Sequence, residues 1–324
     1  MRYEANCRSK DNSKVRYNTN TRKATAGRAK GEAMKNAAYY NGTISAIEDI
    51  KVPLEDRAVY FGDGVYDVAF CHNGKPFLID EHFDRFYNSC RLVRIDFPYT
   101  REQLLEIITD LISRLDDRSD VLIYWQASRG TAPRNHPFPE NSKANLLMYV
   151  KPKKITKLDV PMKLHTVDDI RYEMCNVKTI NLIPNILAAQ AAIDAGCDEA
   201  VQIRRRLFEE DGTEYRDVVT EGAHTNISIL KNGEFITAPL GHFILPGIAR
   251  SHLIGLCREN GIPVVERYIT RAELADADEI MISSTTTLVR RACELDGAPV
   301  GGRDTVLFDR IQQFYVEKLD RDCI

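Results

Sequence analysis

The chain has one tryptophan, no long apolar run and no cysteine pair at a metal or redox spacing. Each absence removes a class of protein. No apolar run approaches the ~18 residues of a spanning helix, so a transmembrane helix is excluded. The eight cysteines, at 7, 71, 90, 175, 197, 257, 293 and 323, form no C-x-x-C, and none stands at zinc-finger spacing from a histidine. Scattered thiols without a secretory signal read as reduced, small and mostly apolar side chains. The expectation is a cytoplasmic protein without a structural metal. A surplus of one charge is also missing. The 44 basic and 47 acidic residues leave a net of −3, which gives no bias toward nucleic acid or membrane. What remains is ordinary globular composition, 44% hydrophobic and 28% charged over 324 residues. That length suits two domains and a core that needs no disulfide.

The first 37 residues depart from this balance. They hold ten Lys or Arg against three acids, whereas the remaining 287 hold 34 against 44. The segment lacks Leu, Ile and Phe, so it has little to bury and is expected to be disordered. A transit peptide, a basic tail for an anionic partner and an over-extended start all suit it. The last is favoured, because Met34 immediately precedes "KNAAYYNGTIS", where folded-looking sequence begins.

From Tyr39 onward, short strands alternate with helices. "AVYFGDGVYDVAFCHNGKPFLI" predicts strand, loop, strand, an Asn-Gly turn at 73–74 and a further strand. Asp80 is placed to cap the helix "EHFDRFYNSCRLV", with Phe83, Phe86, Tyr87 and Cys90 on one face. A helix over about 101–115 and strands "VLIYWQASRG" and "ANLLMYV" follow. "KPKKITKLDVP", 151–161, is charged, holds two prolines and reads as a linker. The predicted division is a small domain over 38–156 and a larger one over 157–324. In the second half, "NILAAQAAIDAG" is a helix with Pro184 near its first turn and Gly196 at its end. "TNISILKNGEFITA" is a hairpin turning at Asn232-Gly233, "PGIARSHLIGLCRENG" a helix ended by Gly261, and "EIMISSTTTLV" a strand entering a polar turn.

Several residues carry chemistry. Lys178 stands alone among uncharged neighbours in "CNVKTINLIPN", a pattern that ordinarily marks a solvated stem. In "ILPGIARSHLIG" a strand end meets a helix start, whose free N–H groups suit a phosphate. "SSTTT", 283–287, offers hydroxyls after another strand, and Arg85 is a forked, permanent cation. Glu221, at the entrance of an apolar strand in "VVTEGAHTNIS", needs a partner if buried. Arg134 and His136, in the proline-braced "SRGTAPRNHPFPE", are spaced to grip one small carboxylate. Each also has a plain reading as a turn, cap or surface residue.

Together and in this order, "DRAVYFGDGVYDV", "DEHFDRFYNS", "SRGTAPRNHPFPE", "VKTINLIPNILAAQAA", "VTEGAHTNIS", "FILPGIAR" and "SSTTT" resemble the fold-type IV pyridoxal-phosphate aminotransferases, most of all their D-amino-acid-specific branch. The resemblance runs from about residue 39 to the end. It implies a mixed α/β fold, with a small two-layer α/β domain and a larger pseudo-barrel domain. It implies that Lys178 forms the Schiff base with pyridoxal 5'-phosphate and that Glu221 pairs with the pyridine nitrogen. Arg85, Ile248, Ala249 and Thr285 would hold the phosphate, and Leu245 would pack near the ring. Tyr66, Arg134 and His136 would hold the substrate's α-carboxylate. The implied reaction moves the amino group of D-alanine or another D-amino acid to 2-oxoglutarate, in a homodimer whose site lies at the subunit contact. A branched-chain L-amino-acid aminotransferase, an (R)-amine transaminase and an aminodeoxychorismate lyase are the alternatives within the fold.

The chemistry agrees with those roles. A Schiff-base lysine must be able to become neutral, which burial and nearby positive charge favour. The chain also departs from the family. Ala223, His224 and Ala249 stand where Ser or Thr is common, and Asp67 where Glu is common. At Ala249 the backbone N–H remains but a hydroxyl bond worth ~1 kcal/mol is lost.

Overall fold

A computed structural model of the chain describes residues 33–208 and 211–323. Consecutive halves of the chain build two separate β-sheets. The first half supplies β1 (Ala37–Tyr40), β2 (Thr43–Ser45), α1 (Arg57–Phe61), β3 (Gly64–His72), β4 (Lys75–Phe77), α2 (Ile79–Leu92), α3 (Arg101–Ser113), β5 (Asp120–Ser128) and β6 (Asn145–Pro152). Its strands are ordered β2-β1-β6-β5-β3-β4, with every pairing antiparallel. Period-two alternation in β5 sets the layers. Val121, Ile123, Trp125 and Ala127 enter a core with Phe83 and Phe86 of α2 and Leu104 and Ile108 of α3. The other face carries Tyr124, stacked between Tyr66 of β3 and Tyr149 of β6.

The second half supplies β7 (Met162–Asp168), α4 (Ile183–Asp194), β8 (Glu199–Phe208), β9 (Glu214–Gly222), β10 (Asn226–Lys231), β11 (Glu234–Thr237), α5 (Ile248–Glu259), β12 (Val264–Glu266), β13 (Ile269–Thr270), α6 (Arg271–Ala275), β14 (Glu279–Ser284), β15 (Leu288–Leu295), β16 (Ala298–Pro299) and α7 (Thr305–Asp322). The order is β12-β11-β10-β14-β15-β7-β8-β9-β13, with β16 beside β15. Four strands separate β9 from β10 in that order, yet the two lie against each other. The sheet therefore curls into a half-barrel. Leu164, Val201, Ile227 and Ile282 fill one core, while Leu253 and Cys257 of α5 meet Phe308, Ile311 and Tyr315 of α7 in another. This is the mixed α/β architecture expected from the sequence, a smaller two-layer part followed by a larger curled one. No helix among the described residues is long and apolar enough to cross a membrane.

Three local expectations change. "RAVYF" is helix α1 rather than strand, because Asp56 caps it through Ala58 N and Gly62, at φ 58°, ends it. Asp80 does not cap α2 but lies in its first turn, and Leu78 at φ 51° takes the cap position. The stretch expected as a linker begins inside β6, and its Ile155 and Leu158 pack on the second half's core. The expectation of a disordered leader, and of its origin, falls mostly on residues 1–32, outside the described residues. Met34 is buried on the first core, bridged to Leu115, and Ala37 begins β1.

The turn between α1 and β3 is tied down by charge. Asp63 accepts from Arg57 Nε at 2.7 Å and from Arg129 Nε and Nη2, each at 2.9 Å. Burial opposes ionisation of Asp63, but the bonds and charges of Arg129 and Arg57 outweigh it and hold the carboxyl below the usual range. A lowered folded-state value means the stabilisation is complete above the ordinary aspartate value of ~4 and fades as pH falls through the folded one. Asp63→Asn is expected to cost about 3 kcal/mol at neutral pH. Urea midpoints of wild type and variant should converge as pH is lowered below ~4. A gap that stays constant with pH would show that Asp63 is not charged in the fold.

Candidate active site

Lys178 belongs to no helix or strand. It sits in residues 169–182, which leave β7 and lead to α4. Its backbone is nevertheless fixed, and by the opposite sheet. Tyr66 N donates to Lys178 O at 2.9 Å, Ile180 N donates to Gly64 O at 3.2 Å, and Lys178 N donates to Ser89 Oγ of α2 at 3.2 Å. The segment thus adds one antiparallel step to the end of β3, with Val65 opposite Thr179. Gly64 suits this crowded position, since a Cβ there would stand 2.6 Å from Ala127 O of β5 and 3.0 Å from Ile180 Cδ1 of the lysine segment. Lys178 Nζ rests 4.3 Å from the centroid of the Tyr66 ring, at a cavity of about 300 Å³ between the two sheets.

Eight residues singled out in the sequence line this cavity: Tyr66, Arg85, Lys178, Glu221, Leu245, Ile248, Ala249 and Thr285. Glu221 ends β9 and is buried. One carboxylate oxygen is hydrogen-bonded by Arg171. The other accepts from Asn226 Nδ2 and Leu245 N, both at 3.0 Å. Burial pushes the Glu221 carboxyl up, against the pull of Arg171 and the Leu245 N–H. Arg171 is held by Asp169 at 2.9 Å through both Nε and Nη2. Burial disfavours its charge, but the carboxylates of Glu221 and Asp169 outweigh this and push the guanidinium further up. Glu221 therefore offers a fixed, buried carboxylate edge to the cavity.

The opposite end is built for an anion. Helix α5 opens at Ile248 with no side-chain cap on its first N–H groups. Arg85 reaches the same place, its Nη1 donating to Pro246 O at 3.2 Å. The rest of its fork is gripped by Asp67, with Nε at 2.9 Å and Nη2 at 2.7 Å. His82 Nδ1 also meets Asp67, at 2.8 Å. Burial opposes the charge on Asp67, but Arg85 and His82 outweigh it and hold the carboxyl well below its usual range. Gly247 serves packing as well as access, because a Cβ there would stand 1.8 Å from Asn226 Oδ1. Ser283 Oγ is buried without a hydrogen-bond partner, and Ser283 lines the same cavity. An aldehyde-reactive amine, a carboxylate for a ring nitrogen, an anion cradle and a free hydroxyl suit pyridoxal 5'-phosphate.

Arg134 and His136 are not brought to this cavity within the single chain. Both are exposed, on a loop whose Asn135 and His136 carbonyls accept from Arg57 at 2.6 and 3.3 Å. Both lie against Phe61, with the Arg134 guanidinium 5.2 Å and the His136 ring 5.3 Å from its ring centroid. Sequence reasoning missed Arg171, Asp169 and the Asp67–His82 pair. Only burial could have singled them out, and "VDDIRYE" and "DEHFDR" read equally well as solvated charge.

Residues 64–295 match the family described as amino-transferase class IV. A D-alanine aminotransferase of Staphylococcus epidermidis is 37% identical over 295 residues, 88% of this chain and 99% of that one. A branched-chain aminotransferase from the archaeon Thermoproteus uzoniensis superposes with a TM-score of 0.76 at 25% identity, covering 87% of this chain and 93% of that one. A second branched-chain amino acid aminotransferase, from T.th., complexed with N-(5'-phosphopyridoxyl)-L-glutamate, also gives 0.76, at 23% identity and 88% and 94% coverage. With its lysine, its buried carboxylate and its anion cradle in one cavity, this chain belongs to the class IV aminotransferases, and pyridoxal 5'-phosphate is its cofactor.

Proposed function

We propose that this chain moves the amino group of D-alanine and other D-amino acids to 2-oxoglutarate, giving a 2-oxo acid and D-glutamate. The observation that carries the reading is the placement of Lys178 on one wall of the cavity that Glu221 and the α5 start complete. Likeness to the D-alanine aminotransferases of Staphylococcus haemolyticus and Staphylococcus epidermidis supports the D-alanine specificity. When bound, the cofactor supplies an electron sink for the substrate's α-carbon. The residues of the chain do the rest. Lys178 holds the aldehyde carbon and its Nζ takes and returns the α-proton. Glu221, fixed by Arg171 and Asn226, holds a proton on the ring nitrogen. Arg85, the Ile248 and Ala249 N–H groups and Thr285 anchor the phosphate, and Leu245 packs near the ring.

The reading includes a homodimer in the cytoplasm. Ile183, Ile186, Leu187 and Ile193 of α4 are all more than half exposed. Four large apolar side chains on one helix beside the cavity form a surface suited to a second copy. Such a copy would bring Arg134 and His136 of the partner subunit to the α-carboxylate, beside Tyr66. The described cysteines are all free thiols, which suits a reducing compartment.

Two experiments follow. Borohydride reduction of the holoenzyme and peptide mapping should place the pyridoxyl tag on Lys178. Lys178→Ala should lose the visible absorption and at least ~10³-fold in turnover. A tag on another lysine would overturn the assignment. For the dimer, Lys178→Ala subunits are co-refolded with subunits carrying Arg134→Ala and His136→Ala. Random pairing leaves one intact site in half of the dimers, so about a quarter of wild-type activity should return. No recovery would mean that the loop serves its own subunit's cavity, and full activity of the Arg134→Ala, His136→Ala subunits alone would mean that it serves none.

A further inference from the structure

We propose that His224 recognises the second carboxylate of dicarboxylic substrates, and so sets the preference of this enzyme for D-glutamate-like donors and their 2-oxo acids over monocarboxylic ones. The inference rests on the aminotransferase reading above and deepens it at one residue.

His224 lines the cavity that holds Lys178 and Glu221, yet its side chain is 65% exposed, at the open edge. Its mount is rigid. Glu199 begins β8, with its side chain fully buried, and accepts from Ala200 N at 2.8 Å, Ala223 N at 3.1 Å and Thr225 Oγ1 at 2.9 Å. From the other side Asn185 Nδ2 of α4 donates to Ala223 O at 2.7 Å. The turn carrying His224 is therefore clamped on both flanks, which is what precise recognition requires. His224 Nδ1 lies 3.2 Å from Glu199 Oε2. That contact orients the ring by charge rather than by an aligned hydrogen bond, so neither ring nitrogen is taken by a hydrogen bond among the described residues, and Nε2 remains for another partner.

The charges around the cavity leave few choices for that partner. Among the described lining residues, Arg171 is bound to Glu221 and Asp169, and Arg85 to Asp67 and a carbonyl. Lys178 is the reacting amine. A substrate that brings one carboxylate for the α-position needs one cationic grip, and a dicarboxylate needs another. Of the described lining residues, His224 is the remaining basic side chain with an uncommitted nitrogen. Imidazole and carboxylate would form a charge-assisted hydrogen bond at the open edge of the cavity.

The test compares His224→Ala and His224→Gln with wild-type holoenzyme. For His224→Ala the ratio of kcat/KM for D-glutamate to that for D-alanine should fall about 10- to 100-fold. His224→Gln, which keeps a donor without the charge, should recover part of the ratio. Calorimetric titration with unreactive glutarate and propionate supplies a readout apart from turnover. Glutarate should weaken about 10-fold or more in His224→Ala, and propionate far less. An unchanged ratio and unchanged glutarate affinity would overturn the proposal. So would equal losses for glutarate and propionate, which would make His224 a grip on the common carboxylate. If wild type fails to transaminate D-alanine at all, it is the underlying reading that falls.

Discussion

The structure turns on a short seam. The backbone of Lys178 and Ile180 comes from the second half of the chain but is hydrogen-bonded to the first half, Lys178 to Tyr66 and Ser89 and Ile180 to Gly64. Glu221 and the start of α5 belong to the curled half, while Tyr66 and Arg85 come from the first. A reactive lysine on a free loop would sample many positions and lose the alignment that proton transfer needs. Here the loop is pinned as a strand would be, and only the flexible stem is left to move. The same seam fixes Tyr66, whose ring flanks the amine while its backbone N–H holds the lysine's own carbonyl. Both sheets must therefore be folded and docked before the site exists.

Two buried ion-pair groups set the ends of the cavity. At one, Asp169, Arg171 and Glu221 form a chain. At the other, His82, Asp67 and Arg85 do. Buried pairs of this kind give little net stability, because desolvation offsets most of the attraction. Their effect is geometric. Each guanidinium is oriented by a carboxylate that lies entirely out of solvent. Each then has a single direction left in which to act. Arg171 orients Glu221, and Arg85 presents its remaining N–H beside the first turn of α5. Breaking either group would leave an unpaired buried charge, so position and stability are coupled at these residues.

Much of this was legible in the sequence, and the limits have physical causes. Both Asn-Gly hairpins appear where their turn chemistry puts them, with Asn73 and Asn232 at positive φ. The helices read from an apolar face or from their end signals, α2, α3, α4 and α5, are present. The α1 helix escaped notice because a five-residue helix held by an Asp cap and a glycine has no room to show a period. The outer parts of β8 and β9, "RRRLF" and "EYRDV", are mostly charged and largely exposed, so alternation gave no signal. Site residues that react or touch a cofactor had local motifs around them. Residues that only position others, such as Arg171, Asp67 and Glu199, look like surface charge until burial is known.

The substitution at Ala249 follows from the same division between groups that act and groups that hold. Its side chain cannot bond a phosphate, but it is buried and packs in the core shared by α5 and α7. The backbone N–H groups of that turn keep their direction because Arg250, one residue on, is fully buried and bonded to Ala238 O and Glu266. A hydroxyl at position 249 would add one neutral hydrogen bond. The helix dipole, several N–H groups and a carboxylate-oriented arginine would act on an anion placed there with greater total effect. An anion bound here would thus depend on how α5 and α2 are mounted more than on any single side-chain donor, which is why the proposed phosphate site accommodates alanine at position 249.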